Sequence, residues 1–153
     1  MLARERKRVL AIASGGGHWQ QLMRLRPAFE GERTVYLTTD GAYAKDVPGS
    51  DVFVVTDANR DVPFKLVRSC VEVFWRVTRT RPDVVISTGA APGLFGVLFG
   101  RLVGARTIWV DSIANAETLS LSGRIASKIA NTALTQWPHL AEPRGPSYQG
   151  SIL

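Results

Sequence analysis

Short apolar runs alternate with helical segments along most of the chain, and this alternation restricts the fold more than any other feature. The runs predicted to be strands are Val9–Ser14, Thr34–Thr38, Asp51–Val55, Asp83–Ser87, Arg106–Val110 and Ala133–Trp137, with a further one near Tyr148. Helical spacing predicts His18–Phe29, a long helix starting at Pro63, Leu94–Val103 and Ser122–Asn131. This order is typical of βαβ units and a parallel sheet covered on both faces. We therefore expect an α/β, Rossmann-like, doubly wound fold, with residues 1–153 forming a single domain.

Composition restricts the compartment and the class of partner. The chain has one cysteine, Cys70, so it forms no intrachain disulfide and suits a reducing compartment. Its net charge of +6 favours anionic partners. Met1–Arg8 is charged and lacks the apolar core of a signal peptide, and no run reaches the ~18 apolar residues of a spanning helix. We expect a protein that is not translocated and does not span a membrane.

Several classes of site are absent from the sequence. It contains no P-loop lysine, no G-x-S-x-G motif and no His/Cys spacing for zinc, so we expect neither a metal nor a cofactor. Nucleic-acid binding is not expected, because the basic charge is not interleaved with an aromatic platform. A dinucleotide-binding oxidoreductase is a less favoured alternative. Gly15, Gly17 and Asp40 fit its pattern, but Gln20 occupies the third glycine position.

The first candidate loop is Ser14-Gly15-Gly16-Gly17-His18, between a buried strand and a helix. Three glycines let the backbone approach a ligand closely, and the first N–H groups of a helix lack intrahelical partners. This pattern favours a phosphate or diphosphate site over a simple tight turn. Two roles are open for His18: a general base, or a helix-start residue that only donates a hydrogen bond.

The second candidate loop runs from Ser87 to Gly93 and also follows a buried strand. Its small residues predict a second part of the same anion cradle, with Thr88, Gly89, Ala90 and Gly93 as candidate ligands. The alternative is a compact turn with Pro92 starting a helix.

The third candidate loop begins at Asp111, after the fifth predicted strand. Asp111 is a candidate carboxylate base, and Ser112, Asn115 and Glu117 are candidates for binding sugar hydroxyls. The alternative for the end of this loop is a helix cap, in which Ser122 is the N-cap.

Five motifs in one order resemble a known family, and the resemblance extends from about Val9 to Trp137. They are Ser14-Gly15-Gly16-Gly17-His18, Asp83-Val84-Val85-Ile86-Ser87-Thr88-Gly89, Trp109-Val110-Asp111-Ser112, Leu119-Ser120-Leu121-Ser122-Gly123-Arg124 and Gln136-Trp137-Pro138. Together they resemble the oligosaccharide-biosynthesis family that is the fourteenth of the asparagine-linked glycosylation series. More distantly, the chain is similar to the N-terminal domain of MurG-type transferases.

The resemblance implies one half of a GT-B glycosyltransferase. Such a chain binds a polyprenyl-diphosphate-linked sugar and forms a heterodimer with a separate subunit that holds the UDP-sugar. The resemblance places the acceptor diphosphate at Gly15–Gly17 and Thr88–Gly93, and it makes His18 a candidate base; Ser14 is a further candidate ligand of the diphosphate. Asp111 stands where the family more often has glutamate.

The resemblance also implies recruitment of the partner to the cytoplasmic face of a membrane. The spanning helix that eukaryotic members carry is not found in this sequence. We expect peripheral contact with anionic lipid through the polar stripe of Lys65–Arg81 and the apolar segment Leu94–Val103. That stripe is equally typical of a solvated helix face. A non-catalytic anchor that only recruits and activates the partner is the alternative function.

Overall fold

The computed structural model describes residues 4–152, so the first three residues and the last one of the predicted domain lie outside it. Its strands are β1 (Arg8–Ile12), β2 (Arg33–Thr38), β3 (Asp51–Val54), β4 (Val84–Ser87), β5 (Arg106–Val110), β6 (Thr132–Thr135) and β7 (Ser147–Tyr148). Its α-helices are α1 (Gly17–Leu25), α2 (Pro63–Thr80), α3 (Ala90–Leu102) and α4 (Leu121–Ile129). Short 3₁₀ helices cover Arg26–Phe29, Gly41–Asp46 and Pro138–Leu140.

All seven strands pair in parallel in one sheet, in the order β3-β2-β1-β4-β5-β6-β7. The chain builds outward from β1 in one direction and from β4 in the other, so the order reverses between these two central strands. The crevice at such a reversal, beyond the carboxyl ends of the strands, is where open α/β sheets bind ligands. The α/β, doubly wound prediction is confirmed.

Alternate residues of β1 point to the two faces of the sheet. Val9, Ala11 and Ala13 pack with Trp19 and Leu22 of α1. On the other face, Leu10 and Ile12 pack with Val73 and Val77 of α2 and with Phe95 and Phe99 of α3. Helix α3 lies between α2 and α4 on that face.

Helix α3 lies unusually close to the sheet because glycines face it. A Cβ at Gly96 would lie 2.0 Å from the Cδ1 atom of Ile12, and one at Gly93 would lie 1.9 Å from the Oγ atom of Ser87. Gly93 is buried and belongs to the helix, so it serves packing and does not line a loop. This corrects the sequence-based assignment of Gly93 to the diphosphate cradle.

The predicted start of α3, cap of α4 and end of α1 were wrong. Helix α3 begins at Ala90, four residues before the predicted Leu94, because small residues at its start carry no periodic signal. Helix α4 is capped by Ser120, whose Oγ accepts from the Gly123 N–H at 2.8 Å, and not by Ser122. Helix α1 ends at Leu25 and continues as a 3₁₀ turn at Arg26–Phe29, which contains Pro27.

The outer face of α2 is mainly apolar, whereas both interpretations of the polar stripe, lipid contact and a solvated face, placed polar side chains there. Phe64 is 77% exposed and Val67 is 62% exposed, and Val71, Phe74 and Trp75 are also exposed. The buried positions of this helix include Ser69, a polar residue within the predicted stripe Lys65–Arg81. Within residues 4–152, no helix combines the length and apolarity needed to cross a bilayer.

Candidate functional site

The loops after β1 and β4 meet at the carboxyl edge of the sheet. The Nδ1 atom of His18 lies 2.9 Å from the Thr88 carbonyl oxygen, and the Thr88 hydroxyl donates to the His18 carbonyl oxygen at 2.7 Å. Because β1 and β4 are direct neighbours in the sheet, the two loops share one crevice. The predicted juxtaposition of the two glycine-containing loops is therefore present in the structure.

The turn after β1 is fixed by two hydrogen bonds to the segment after β2. The Gly15 N–H donates to the Thr39 hydroxyl at 3.1 Å, and the Gly16 N–H donates to the Tyr43 hydroxyl at 2.7 Å. Gly16 has φ 69° and ψ −135°, a conformation that strongly favours glycine. These two N–H groups already donate within the protein, so they are not available to a ligand.

The next N–H groups of the turn remain available. Within residues 4–152, the N–H groups of Gly17 and His18 find no hydrogen-bond acceptor. Gly16 and Gly17 are exposed, and apart from adjacent residues and the backbone of α1 no atom lies within 4 Å of where a Cβ would stand on either. An anion above this turn would meet free donors and the positive end of the α1 dipole.

The second turn has a strained backbone. Gly89 has φ 143°, and Ala90 has φ 69°, which is uncommon for a residue with a side chain. The Gly89 N–H donates to the Ser87 hydroxyl at 3.2 Å. Ala90 is the first residue of α3, so the N-terminus of a second helix reaches the same crevice. Strain of this kind is found where the surroundings hold a backbone in a functional shape.

The hydrogen bond to Thr88 sets the chemical character of the His18 ring. A carbonyl oxygen only accepts, so Nδ1 must carry the proton that it donates. In the neutral ring, Nε2 then carries the lone pair and can accept a proton. His18 is half-buried, so this arrangement suits a base.

Asp111 has a different environment from His18. It is 2% exposed. Its carboxylate accepts hydrogen bonds from the Trp109 indole N–H, the Asn115 amide, and the backbone N–H and hydroxyl of Ser120. A Cβ at Gly123 would lie 2.2 Å from its Oδ1 atom, so the start of α4 packs directly onto the carboxylate. These contacts favour a positioning role for Asp111 over proton abstraction.

The three predicted sugar-contacting residues are placed differently. Ser112 is buried, and its hydroxyl accepts from the Gln21 amide at 3.1 Å and from the Ala114 N–H at 3.2 Å. Asn115 is half-buried and donates to Asp111, whereas Glu117 is exposed. All three lie in the loop after β5, which borders β4 in the sheet.

Sequence reasoning missed two buried glutamines beside this loop. Gln21 of α1 and Gln136 after β6 are joined at 2.6 Å, and Gln136 also donates to the Asp111 carbonyl oxygen at 3.0 Å. The signal for Gln21 was a polar residue next to Leu22 on the covered face of α1. Gln136 lies in a motif of the family resemblance, but that motif indicated no role. In the described part of the chain, no three His, Cys, Asp or Glu side chains are grouped to hold a metal ion.

Comparison with known sequences gives a family. Residues 54–152, more than half of the chain, match the family model described as "Oligosaccharide biosynthesis protein Alg14 like". The mouse UDP-N-acetylglucosamine transferase subunit ALG14 is 27% identical, with 98% of this chain and 85% of the mouse protein covered. The human protein of the same name is 26% identical, with the same coverage of 98% and 85%.

Comparison with solved structures gives the same fold. MurG of Acinetobacter baumannii superposes with a TM-score of 0.76 at 17% identity, covering 95% of this chain and 46% of that one. UDP-N-acetylglucosamine 2-epimerase of Rickettsia bellii superposes with a TM-score of 0.69 at 13% identity, covering 97% and 46%. This chain thus spans about half the length of these two enzymes, and at such identity the likeness shows the fold alone.

The family match covers the loops after β4 and β5, and the mouse and human relatives extend it across the glycine turn and His18. The names of these relatives confirm the expectation of a glycosyltransferase subunit. The chain belongs to the Alg14-like family of oligosaccharide biosynthesis proteins.

Proposed function

We propose that this chain is the acceptor-binding subunit of a two-component glycosyltransferase. It binds a polyprenyl-diphosphate-linked saccharide at the carboxyl edge of β1 and β4, and a partner subunit supplies the UDP-sugar. The observation that carries the proposal is the junction of the two turns at His18 and Thr88. That junction brings anion-binding backbone and a proton acceptor into one crevice.

The diphosphate is proposed to lie across the two turns. The N–H groups of Gly17 and His18 and the start of α3 supply donors, since two helix N-termini converge there. Ser14, Gly15, Gly16, Thr88, Gly89 and Ala90 shape the walls of the cradle. Ser112, Asn115 and Glu117 are proposed to contact the acceptor sugar from the neighbouring loop.

In the proposed reaction, the Nε2 atom of His18 takes the proton of the acceptor hydroxyl. The hydroxyl oxygen forms a bond to the anomeric carbon of the donor sugar, and the bond from that carbon to UDP breaks. UDP leaves with the electron pair of that bond. General-base catalysis of this kind contributes roughly 10²–10⁴-fold in rate. Asp111 holds the loop that carries the sugar contacts.

The need for a partner is supported by the names of the relatives. The mouse and human relatives are each named as a transferase subunit. Ligands often bind in a cleft between domains, to which two subunits can both contribute. We therefore propose a heterodimer in which the UDP-sugar lies on the other subunit.

Peripheral contact with the cytoplasmic face of a membrane is supported by α2. Its exposed Phe64, Val67, Val71 and Trp75 are accompanied by Lys65 on the same helix and by exposed Leu102 on α3. Exposed aromatic and aliphatic side chains beside cations are typical of a surface that lies on anionic lipid. The predicted segment Leu94–Val103 contributes only in part, because much of α3 is buried.

The same apolar face supports the alternative of a non-catalytic anchor, in which this chain only recruits and activates its partner. Membrane contact through α2 does not depend on His18. The two functions differ in one respect: the anchor requires no proton acceptor in the crevice.

The experiment is transfer by the copurified complex of this chain and its partner subunit. The donor is labelled UDP-N-acetylglucosamine, because the mouse and human relatives are named for it, and the acceptor is a lipid extract of the native membranes. His18→Asn keeps a side-chain N–H for the Thr88 carbonyl but removes the base. We expect transfer by the wild type and a loss of about 10²-fold or more in the variant.

Full transfer by His18→Asn would exclude the base and favour the anchor. Failure of the wild-type complex to label any lipid would contradict the transferase proposal for this donor.

A further inference from the structure

Gln21 is a buried amide on the helix that carries His18. It is 6% exposed, although its neighbours on the covered face of α1 include the apolar Trp19 and Leu22. It lies one helical turn after His18, so its fixation also fixes the rotation of the helix around its axis. No role was predicted for it from the sequence.

The side-chain hydrogen bonds of Gln21 all go to the loops after β5 and β6. Its Nε2 donates to the Ser112 hydroxyl at 3.1 Å. Its Oε1 accepts from the Gln136 amide at 2.6 Å and from the Ile113 N–H at 3.3 Å. Gln136 in turn donates to the Asp111 carbonyl oxygen. One side chain therefore ties α1 to two other segments of the site edge.

Such a network is sensitive to geometry. A buried amide that loses its partners is left with an uncompensated desolvation cost, so only one rotation of α1 satisfies all of these groups. That rotation determines where the imidazole of His18 stands relative to Ser112 and Asn115. Displacement of a reacting group by about 1 Å can lower the rate by roughly 10²-fold.

We propose that Gln21 is a positioning residue that holds the His18 helix in register with the acceptor-sugar loop. The inference rests on the proposed function, because it concerns the same crevice. Gln21 touches no reacting atom, and it acts through α1 and through the loop that begins at Asp111.

The test compares variants of the copurified complex in the transfer assay described above. Gln21→Met keeps the volume and removes every hydrogen bond. Gln21→Glu keeps oxygen acceptors for Gln136 and Ile113. The matched control is Thr107→Val, which removes a buried hydroxyl bonded to Asn131, near the start of β5 and at the opposite edge of the sheet.

We expect Gln21→Met to lower kcat by about 10-fold or more with an unchanged KM for UDP-N-acetylglucosamine, because the donor lies on the partner. Gln21→Glu should recover a large part of kcat. Thr107→Val should retain kcat within about twofold, even if its melting temperature falls as much as that of Gln21→Met. Gln136→Met should act like Gln21→Met, and the double variant should lose little more, since both break one network.

If His18→Asn loses transfer but Gln21→Met keeps its activity within twofold of wild type, the inference is overturned and the proposed function stands. The inference would also be overturned if kcat fell in proportion to melting temperature, and to the same extent in Gln21→Met and Thr107→Val. A second measurement needs no transfer: ¹⁵N NMR of the His18 ring nitrogens in this chain. Gln21→Met should shift them and Thr107→Val should not, and an unshifted ring in Gln21→Met would reject the inference even if no transfer is found.

Discussion

The backbone of Gly89 lies directly against the imidazole ring of His18. A Cβ at residue 89 would stand 2.4 Å from both Nδ1 and Cε1 of that ring. The absence of a side chain at Gly89 therefore makes room for the ring and for its bond to the Thr88 carbonyl. Gly89 of the second turn therefore decides where the ring of His18, the candidate base of the first turn, can lie.

Gly89→Ala is expected to displace the His18 ring and to abolish most transfer, as His18→Asn does. It also places a side chain at φ 143°, which costs about 1–3 kcal/mol of folding stability. The matched control is Gly104→Ala, at φ 83° with no other atom within 4 Å of its Cβ position. The control should share the backbone strain but keep the activity. Equal transfer rates in both variants at matched folded fraction would contradict the prediction.

Asp111→Asn is expected to lower the free energy of unfolding by about 2–3 kcal/mol. The carboxylate accepts four hydrogen bonds, two at each oxygen, so an amide NH₂ in place of either oxygen faces two donors. Urea denaturation followed by circular dichroism measures the change. A variant with wild-type stability and no transfer would instead restore Asp111 as a catalytic carboxylate.

The α2 surface gives a prediction that does not require the partner. Phe64→Ser with Val67→Ser removes the two most exposed apolar side chains of this helix. Binding to phosphatidylglycerol vesicles should weaken about 10-fold or more, since each buried side chain contributes roughly 1.5–3 kcal/mol. Tyr148→Ser, an exposed aromatic residue on β7, serves as the control and should bind as wild type. Sedimentation with vesicles measures both, and unchanged binding of the double variant would argue against contact through α2.

Glu72 links α2 to the segment after β3 and gives a pH dependence. Burial alone would raise the pKa of Glu72. Hydrogen bonds from the N–H and hydroxyl of Thr56 and from Arg68 outweigh it and hold the pKa below its usual value. The folded pKa is depressed, so the stabilisation is present above the unfolded value of about 4.3 and is lost as the pH falls through the folded pKa.

Glu72→Gln should therefore cost about 1 kcal/mol at pH 7. The difference in unfolding free energy between wild type and variant should shrink progressively below about pH 4.3. Denaturation at pH 7, 5 and 3.5 measures it. A difference that stays constant over this range would mean that the carboxylate charge contributes nothing.

Local patterns in the sequence determined the architecture. The alternation of apolar strands with helical spacing predicted the parallel sheet, and the glycines after β1 and β4 predicted two loops at one edge of it. Ordered motifs such as Trp109-Val110-Asp111-Ser112 predicted the family. These features are readable because backbone conformation depends mostly on residues a few positions apart.

Tertiary packing decided what the side chains do. The sequence placed Gly93 and Asp111 in a binding loop, but α3 packs Gly93 onto β4, and Asp111 is enclosed by the start of α4. The face of α2 that meets solvent was also set by its neighbour α3, because the helix is apolar on more than one side.

The bonds that join His18 to Thr88 span 70 residues, and the bond between Gln21 and Gln136 spans 115. No periodicity in the sequence encodes such partners. They are chosen only when the strands pair in register and one rotation of α1 satisfies every buried polar group at the edge of the sheet.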